Sequence, residues 1–205
     1  DHDGDLDIFL SREGANLIFR NNMDGTFLDL GEESGLAGDD EKTVDAAFGD
    51  FDEDGDIDLV VINSNGANRI YSNQRQGIFR DISKEAGMPA MEGATAVSVG
   101  DYNNDGFLDL FLASSLPGAS EMYLNAGDGT FQVDYKSEEV KQSLQNVRVN
   151  DAKLFDFDND GYLDLLVAGE SARADDGDGV ILYHNDGSGK LWLSPGILPD
   201  DLKSG

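Results

Sequence analysis

Aspartate recurs in this chain at a spacing suited to hard-cation chemistry. Asp50, Asp52, Asp54 and Asp58 stand at positions 1, 3, 5 and 9 of one loop, with Gly55 at position 6. Asp101, Asn103, Asp105 and Asp109 repeat the pattern around Gly106, and Asp156, Asp158, Asp160 and Asp164 repeat it around Gly161. A shortened version opens the chain, where Asp1, Asp3 and Asp7 take positions 3, 5 and 9 around Gly4. Calcium gathers roughly six to eight oxygens in a flexible shell, and Asp-x-Asp-x-Asp-Gly can wrap a loop around such an ion. Glycine at position 6 permits the sharp turn, with an expected positive φ. The main-chain carbonyl at position 7 (Asp5, Asp56, Phe107 or Tyr162) is the expected further ligand. The pattern predicts three to four bound Ca2+ ions. Magnesium fits less well, because it resists shedding water for an all-protein cage.

Rival readings of the same carboxylates are weaker. An EF-hand needs a bidentate Glu at position 12, and here position 12 is Val61, Leu112 or Val167. Flanks such as Leu59-Val60-Val61-Ile62 are strand-like, not helical. Asp-Gly can also form a solvated turn by itself. A turn needs one Asp, however, and three or four recur in register in each complete copy. Without a cation, carboxylates about 4–6 Å apart would repel by roughly 3 kcal/mol per pair at an effective dielectric near 20. Paired carboxylates can also hydrolyse glycosides, but nearly every clustered pair here lies inside an acidic loop. No nucleophile elbow, phosphate loop or zinc motif is present. The chain therefore reads as non-enzymatic.

The elements that must hold these loops also repeat. Gly4, Gly55, Gly106 and Gly161 are 51, 51 and 55 residues apart. A second landmark recurs in step, at Asp24-Gly25-Thr26-Phe27, Gln76-Gly77-Ile78-Phe79 and Asp128-Gly129-Thr130-Phe131, with a looser copy at Gly187-Ser188-Gly189-Lys190-Leu191. In the second repeat, Val44–Phe51, Ile57–Asn63, Ala67–Ser72 and Ile78–Ile82 read as four short strands separated by turn residues. Four antiparallel strands per repeat of this length predict a β-propeller blade. The expected architecture is all-β, a single propeller region over 1–205, with approximate repeats 1–43, 44–93, 94–148 and 149–205. Glu33-Ser34-Gly35-Leu36 and Glu85-Ala86-Gly87-Met88 read as single helical turns ended by glycine. Residues 136–146 are the one stretch that could hold a short helix.

Composition narrows the class further. Asp and Glu number 42 against 14 Lys and Arg, a formal charge of −28. Such a surface repels a phosphate backbone and an anionic membrane face, so neither nucleic acid nor membrane is an expected partner. With 39% hydrophobic residues, including 11 Phe and 6 Tyr, the chain is too apolar for a disordered acidic tail. Cysteine is absent, which excludes disulfides and thiolate metal sites. No apolar run approaches the roughly 20 residues of a spanning helix, and no leader is visible.

At the acidic loops the sequence resembles the FG-GAP and VCBS repeats found in integrin α-subunit propellers and secreted bacterial proteins. The segments Ala47-Phe48-Gly49-Asp50-Phe51-Asp52 and Val97-Ser98-Val99-Gly100-Asp101-Tyr102 stand where that family has its strand entering the loop. The trailing pieces Phe27–Leu36 and Phe79–Met88 are similar to the cartilage-acidic-protein branch, also called ASPIC/UnbV-associated. The resemblance implies calcium ligands at positions 1, 3, 5, 7 and 9. It also implies about seven blades, whereas four repeats are present. The expectation is a fragment of a longer propeller, or a structure completed by a partner chain or an upstream segment at the open first blade.

The expected role is an extracellular module for protein or glycan binding, adhesion or surface assembly, stiffened by calcium. An accessory propeller of a larger secreted enzyme and a surface-filament subunit are the alternatives. His184 is expected to be structural or exposed, and Trp192 to pack in the core or between blades. Asp175-Asp176-Gly177-Asp178-Gly179 is expected to be a solvated loop, with an additional ion as the alternative.

Overall fold

The computed structural model describes residues 4–36, 41–172 and 178–194. It is built from antiparallel blades, as the repeats predict. Blade 1 contains β1 (Ile8–Leu10), β2 (Leu17–Asn21) and β3 (Phe27–Asp29) among the described residues. Blade 2 contains β4 (Thr43–Gly49), β5 (Asp58–Asn63), β7 (Arg69–Asn73) and β8 (Phe79–Asp81). The two-residue β6 (Asn65–Gly66) leaves that hairpin and pairs with β9 (Met91–Glu92) on the way to the next blade. Blade 3 runs β10 (Ala94–Gly100), β11 (Asp109–Ser114), β12 (Glu121–Asn125) and β13 (Phe131–Val133). Blade 4 runs β14 (Val147–Phe155), β15 (Asp164–Ser171), β16 (Asp178–Asn185) and β17 (Leu191–Leu193). The helical signal at 136–146 becomes α1 (Glu138–Ser143) between two 3-10 turns, Tyr135–Ser137 and Leu144–Asn146.

The second strands of blades 2 and 3 are apolar on both faces because each face meets a different blade. Leu59 and Val61 of β5 pack with Ile18 and Leu36 of blade 1. Val60 and Ile62 of the same strand pack with Leu110, Leu112 and Phe131 of blade 3. Phe111 and Ala113 of β11 turn the other way, towards Val149, Leu165 and Tyr183 of blade 4. Successive strand residues face opposite sides. A strand sandwiched between two sheets therefore reads as an unbroken apolar run. Val140 and Leu144 of the helical segment extend the layer between blades 3 and 4.

Two glycine turns are required by their neighbours. Gly35 has φ +78, and a Cβ there would lie 2.3 Å from the Phe79 carbonyl oxygen of the next blade. Gly87 has φ +69 and a Cβ would lie 3.3 Å from the Phe131 carbonyl oxygen, so the same glycine-ended turn seats each blade on its successor. In blades 1 and 3 the second landmark is an Asx turn. Asp24 and Asp128 each accept the backbone N–H and hydroxyl of the threonine two residues on. Those bonds to the ionised form hold both carboxyls below the usual range, the hydroxyl bond foremost.

Candidate metal centre

All three complete acidic loops close in the same way. The position-9 aspartates Asp58, Asp109 and Asp164 open β5, β11 and β15, and each is almost completely buried. Asp58 accepts the backbone N–H groups of Phe51 (3.0 Å) and Asn73 (2.9 Å). Asp164 accepts those of Phe157 (3.0 Å) and Asn185 (2.8 Å). Asp109 accepts from Asn125 (2.9 Å), and in blade 1 Asp7 accepts from Asn21 (2.9 Å). The position-1 carboxylates reach over the loop. Asp50, Asp101 and Asp156 accept the N–H of Gly55 (3.1 Å), Gly106 (2.9 Å) and Gly161 (2.9 Å). Positions 3 and 5 form Asx turns: Asp52 and Asn103 accept from Asp54 and Asp105, and Asp54, Asp105 and Asp160 from Asp56, Phe107 and Tyr162. The expected positive φ is found at Gly4, Gly55, Gly106 and Gly161. Position 4 also lies in the left-handed region, at Glu53, Asn104 and Asn159. The sequence reading did not anticipate this, although Asn at two of the three positions was a signal.

Side chains at position 7 turn away from the loop. The rings of Phe107 and Tyr162 lie against Gly127 and Gly187, where a Cβ would come within 2.6 and 2.5 Å. Asp56 instead forms an ion pair with Arg75 at 2.7 Å. This leaves the main-chain carbonyl as the group that position 7 can offer. Position 12 (Val61, Leu112, Val167) is fully buried in strand, so the loops are not EF-hands.

Carboxylate oxygens converge in two of the loops. One oxygen each from Asp50, Asp52 and Asp58 lies within 4.8 Å of the others, and the same holds for Asp156, Asp158 and Asp164. Burial, with help from neighbouring carboxylates, pushes Asp58 up to about 6 and Asp109 up to about 7. Asp52 is raised for the same reason. Asp50 Oδ1 and Asp109 Oδ2 are buried without a hydrogen bond of normal geometry. A buried carboxylate oxygen with no donor is costly unless a cation approaches it. The donor set is hard oxygen throughout loops 2 and 3, so the residues present fit calcium. Of the opening loop, Asp5 and Asp7 are described; Asp1 and Asp3 lie outside the described residues, as does the 175–177 part of the Asp175–Gly179 segment.

A family profile described as FG-GAP-like repeat matches residues 1–61, 50–112 and 101–167. The chain belongs to the FG-GAP-like repeat family. Each FG-GAP-like match runs from one acidic loop through the next, so the repeat unit contains the loop geometry described above. Among curated proteins, the chain is 31% identical over 188 residues to cartilage acidic protein 1 of Xenopus tropicalis and 32% identical over 181 residues to that of Homo sapiens. Each alignment covers 80% of this chain but only 27% and 26% of the relative, so the chain spans about a quarter of their length. A solved structure of an Agrocybe aegerita lectin, described as recognising non-reducing terminal N-acetylglucosamine, superposes with a TM-score of 0.53 at 23% identity. That match covers 94% of this chain and 48% of the lectin, and it shows shared fold.

The sequence reading missed one set of residues. Asn73, Asn125 and Asn185 end the third strand of their blades and are buried. Asn125 donates its side-chain amide to the Phe51 carbonyl of blade 2 at 2.8 Å, and Asn185 donates to the Tyr102 carbonyl of blade 3 at 2.6 Å. Each thus ties its own acidic loop to the loop of the preceding blade. Their recurrence with Asn21 in step with the aspartates was the available signal. Trp192 is 41% exposed, with Lys190 Nζ 5.7 Å from its ring centre, so of the two expected placements, core or between blades, it does not take the core one.

Proposed function

We infer that this chain is a calcium-stiffened, non-catalytic propeller module that works outside the cell, where it presents protein- or glycan-binding loops or an assembly surface. One observation carries the reading: three carboxylates converge within 4.8 Å in two blades, while Asp50 Oδ1 is buried with no donor. In blades 2, 3 and 4 the position-1, -3, -5 and -9 side chains and the position-7 carbonyl would hold the ion; in blade 1 the sequence supplies positions 3, 5, 7 and 9. Bound calcium would supply positive charge that offsets carboxylate repulsion and fixes the loop. Four ions would change the formal charge from −28 to −20.

Two considerations favour an extracellular setting. Sites of moderate affinity fill at extracellular calcium levels but not at cytosolic ones. The two curated relatives described above are both cartilage acidic protein 1. No helix among the described residues is long and apolar enough to cross a membrane. The lectin likeness supports only that a propeller of this architecture can carry a glycan site. The test is thermal unfolding in excess calcium and in EDTA. Calcium at tenfold over its dissociation constant adds about 1.4 kcal/mol per site, so the melting temperature should rise. An unchanged transition would count against the reading.

A further inference from the structure

Blade 4 differs from its siblings at one position beside the acidic loop. The residue before the buried strand-end asparagine is Ser72 in blade 2 and Leu124 in blade 3, but His184 in blade 4. Its imidazole faces the loop. Nδ1 lies 3.1 Å from Asp164 Oδ1 and 3.7 Å from Asp158 Oδ2. The ring is steadied edge-on by Phe157, with ring centres 5.8 Å apart and planes at 82°. One ligand atom each from His184, Asp158 and Asp160 lies within 4.8 Å of the others. This cluster shares Asp158 with the all-oxygen group Asp156, Asp158 and Asp164.

We propose that blade 4 holds a mixed nitrogen–oxygen site, formed by His184, Asp158 and Asp160, that takes a first-row transition ion such as Zn2+. Imidazole suits Zn, Ni, Cu and Fe, whereas carboxylate, carbonyl and water suit Ca and Mg. Loops 2 and 3 present no nitrogen ligand at the matching position, so the chain carries its own oxygen-only comparison. Asp158 and Asp160 are exposed, and Asp160, which accepts the Tyr162 N–H with Oδ1, keeps its second oxygen for the shorter bonds that Zn2+ requires. Because Asp158 belongs to both clusters, calcium and the transition ion compete in blade 4. The inference rests on the reading that these loops bind cations, and it assigns a different ion preference to one of them.

The chain has two histidines, so His2→Gln makes His184 the single imidazole. Zn2+ is titrated into that protein while the imidazole nitrogens are followed by long-range 1H–15N NMR. A saturable shift of the His184 imidazole nitrogen resonances is expected, reversed by excess calcium. His184→Leu and His184→Ser, which copy blades 3 and 2, should weaken the Zn2+ site by at least about ten-fold. Both should leave calcium binding at loops 2 and 3 intact, and that retention also reports that the variants fold. Unmoved His184 imidazole nitrogen resonances, or Zn2+ affinity unaltered in both variants, would overturn the proposal while leaving the calcium reading standing. Loss of calcium binding throughout the unmodified chain would instead sink the underlying reading.

Discussion

Leu108 of blade 3 fits against Gly49 of blade 2 so closely that a Cβ on the glycine would lie 2.7 Å from Leu108 Cδ1. Gly100 receives Leu163 of blade 4 in the same way, at 2.5 Å. Neither glycine has a positive φ, so the requirement is purely one of space. Both leucines sit at loop position 8, beside the position-9 aspartate. The contact therefore fixes the acidic loop of one blade against the strand of its neighbour.

Gly49→Ala should destabilise the fold by about 1–3 kcal/mol, the usual range for overpacking a filled site. Leu108→Ala in the same chain should recover part of that loss. Equilibrium urea unfolding of the two single variants and the double variant measures the coupling. Strict additivity would show that the two side chains do not interact.

Asn185 is fully buried, and its amide donates to Tyr102 and Leu163 carbonyls while its own N–H bonds Asp164. Asn185→Leu keeps the branching and the heavy-atom count but leaves two carbonyls without that donor. It should cost about 1–3 kcal/mol by denaturant midpoint. Because the amide spans two blades, the loss should appear as one cooperative shift.

Glu53 occupies the left-handed region at φ +57, where its siblings are Asn104 and Asn159. Asn tolerates that conformation better than Glu. Glu53→Asn should raise stability by roughly 0.5–1 kcal/mol in calcium-free buffer, a gain of the size seen when strain is relieved at a special backbone position. Thermal unfolding reads the shift.

Much of this arrangement was legible in the amino-acid order. Leu59-Val60-Val61-Ile62 and Leu110-Phe111-Leu112-Ala113 marked strands buried on both faces, and the strand ends in blade 2 fall within a few residues of expectation. The loop aspartates were visible because one short segment holds them all. The contacts between blades were not, because they join residues far apart in sequence. Asn125 and Phe51 are 74 positions apart, and their meeting depends on how one sheet lies on the next. The position-9 aspartates were read as ion ligands alone. They are also acceptors for two strands, as Asp58 shows with Phe51 and Asn73. His184 was expected to be structural or exposed; across from Trp192 on β16, it faces Asp164 and Asp158.

Asp58 and Asp109 give the ion-free protein a distinctive pH response. Burial raises both carboxyls, to about 6 and about 7, above their unfolded value near 4. The folded state therefore holds protons that the unfolded chain has released. Their stabilising contribution is full below about pH 4 and is lost as pH rises through 6 and 7. In EDTA, the melting temperature should increase as pH falls from 7.5 to 5. Saturating calcium should flatten or reverse that slope, because the cation requires the ionised carboxylates. Parallel melting curves with and without calcium would contradict this.

Calorimetric titration of calcium into the chelator-stripped chain tests the central claim most directly. Three to four ions should bind, and Asp50→Asn and Asp156→Asn should each remove one. No saturable binding, or a stoichiometry indifferent to both substitutions, would contradict it.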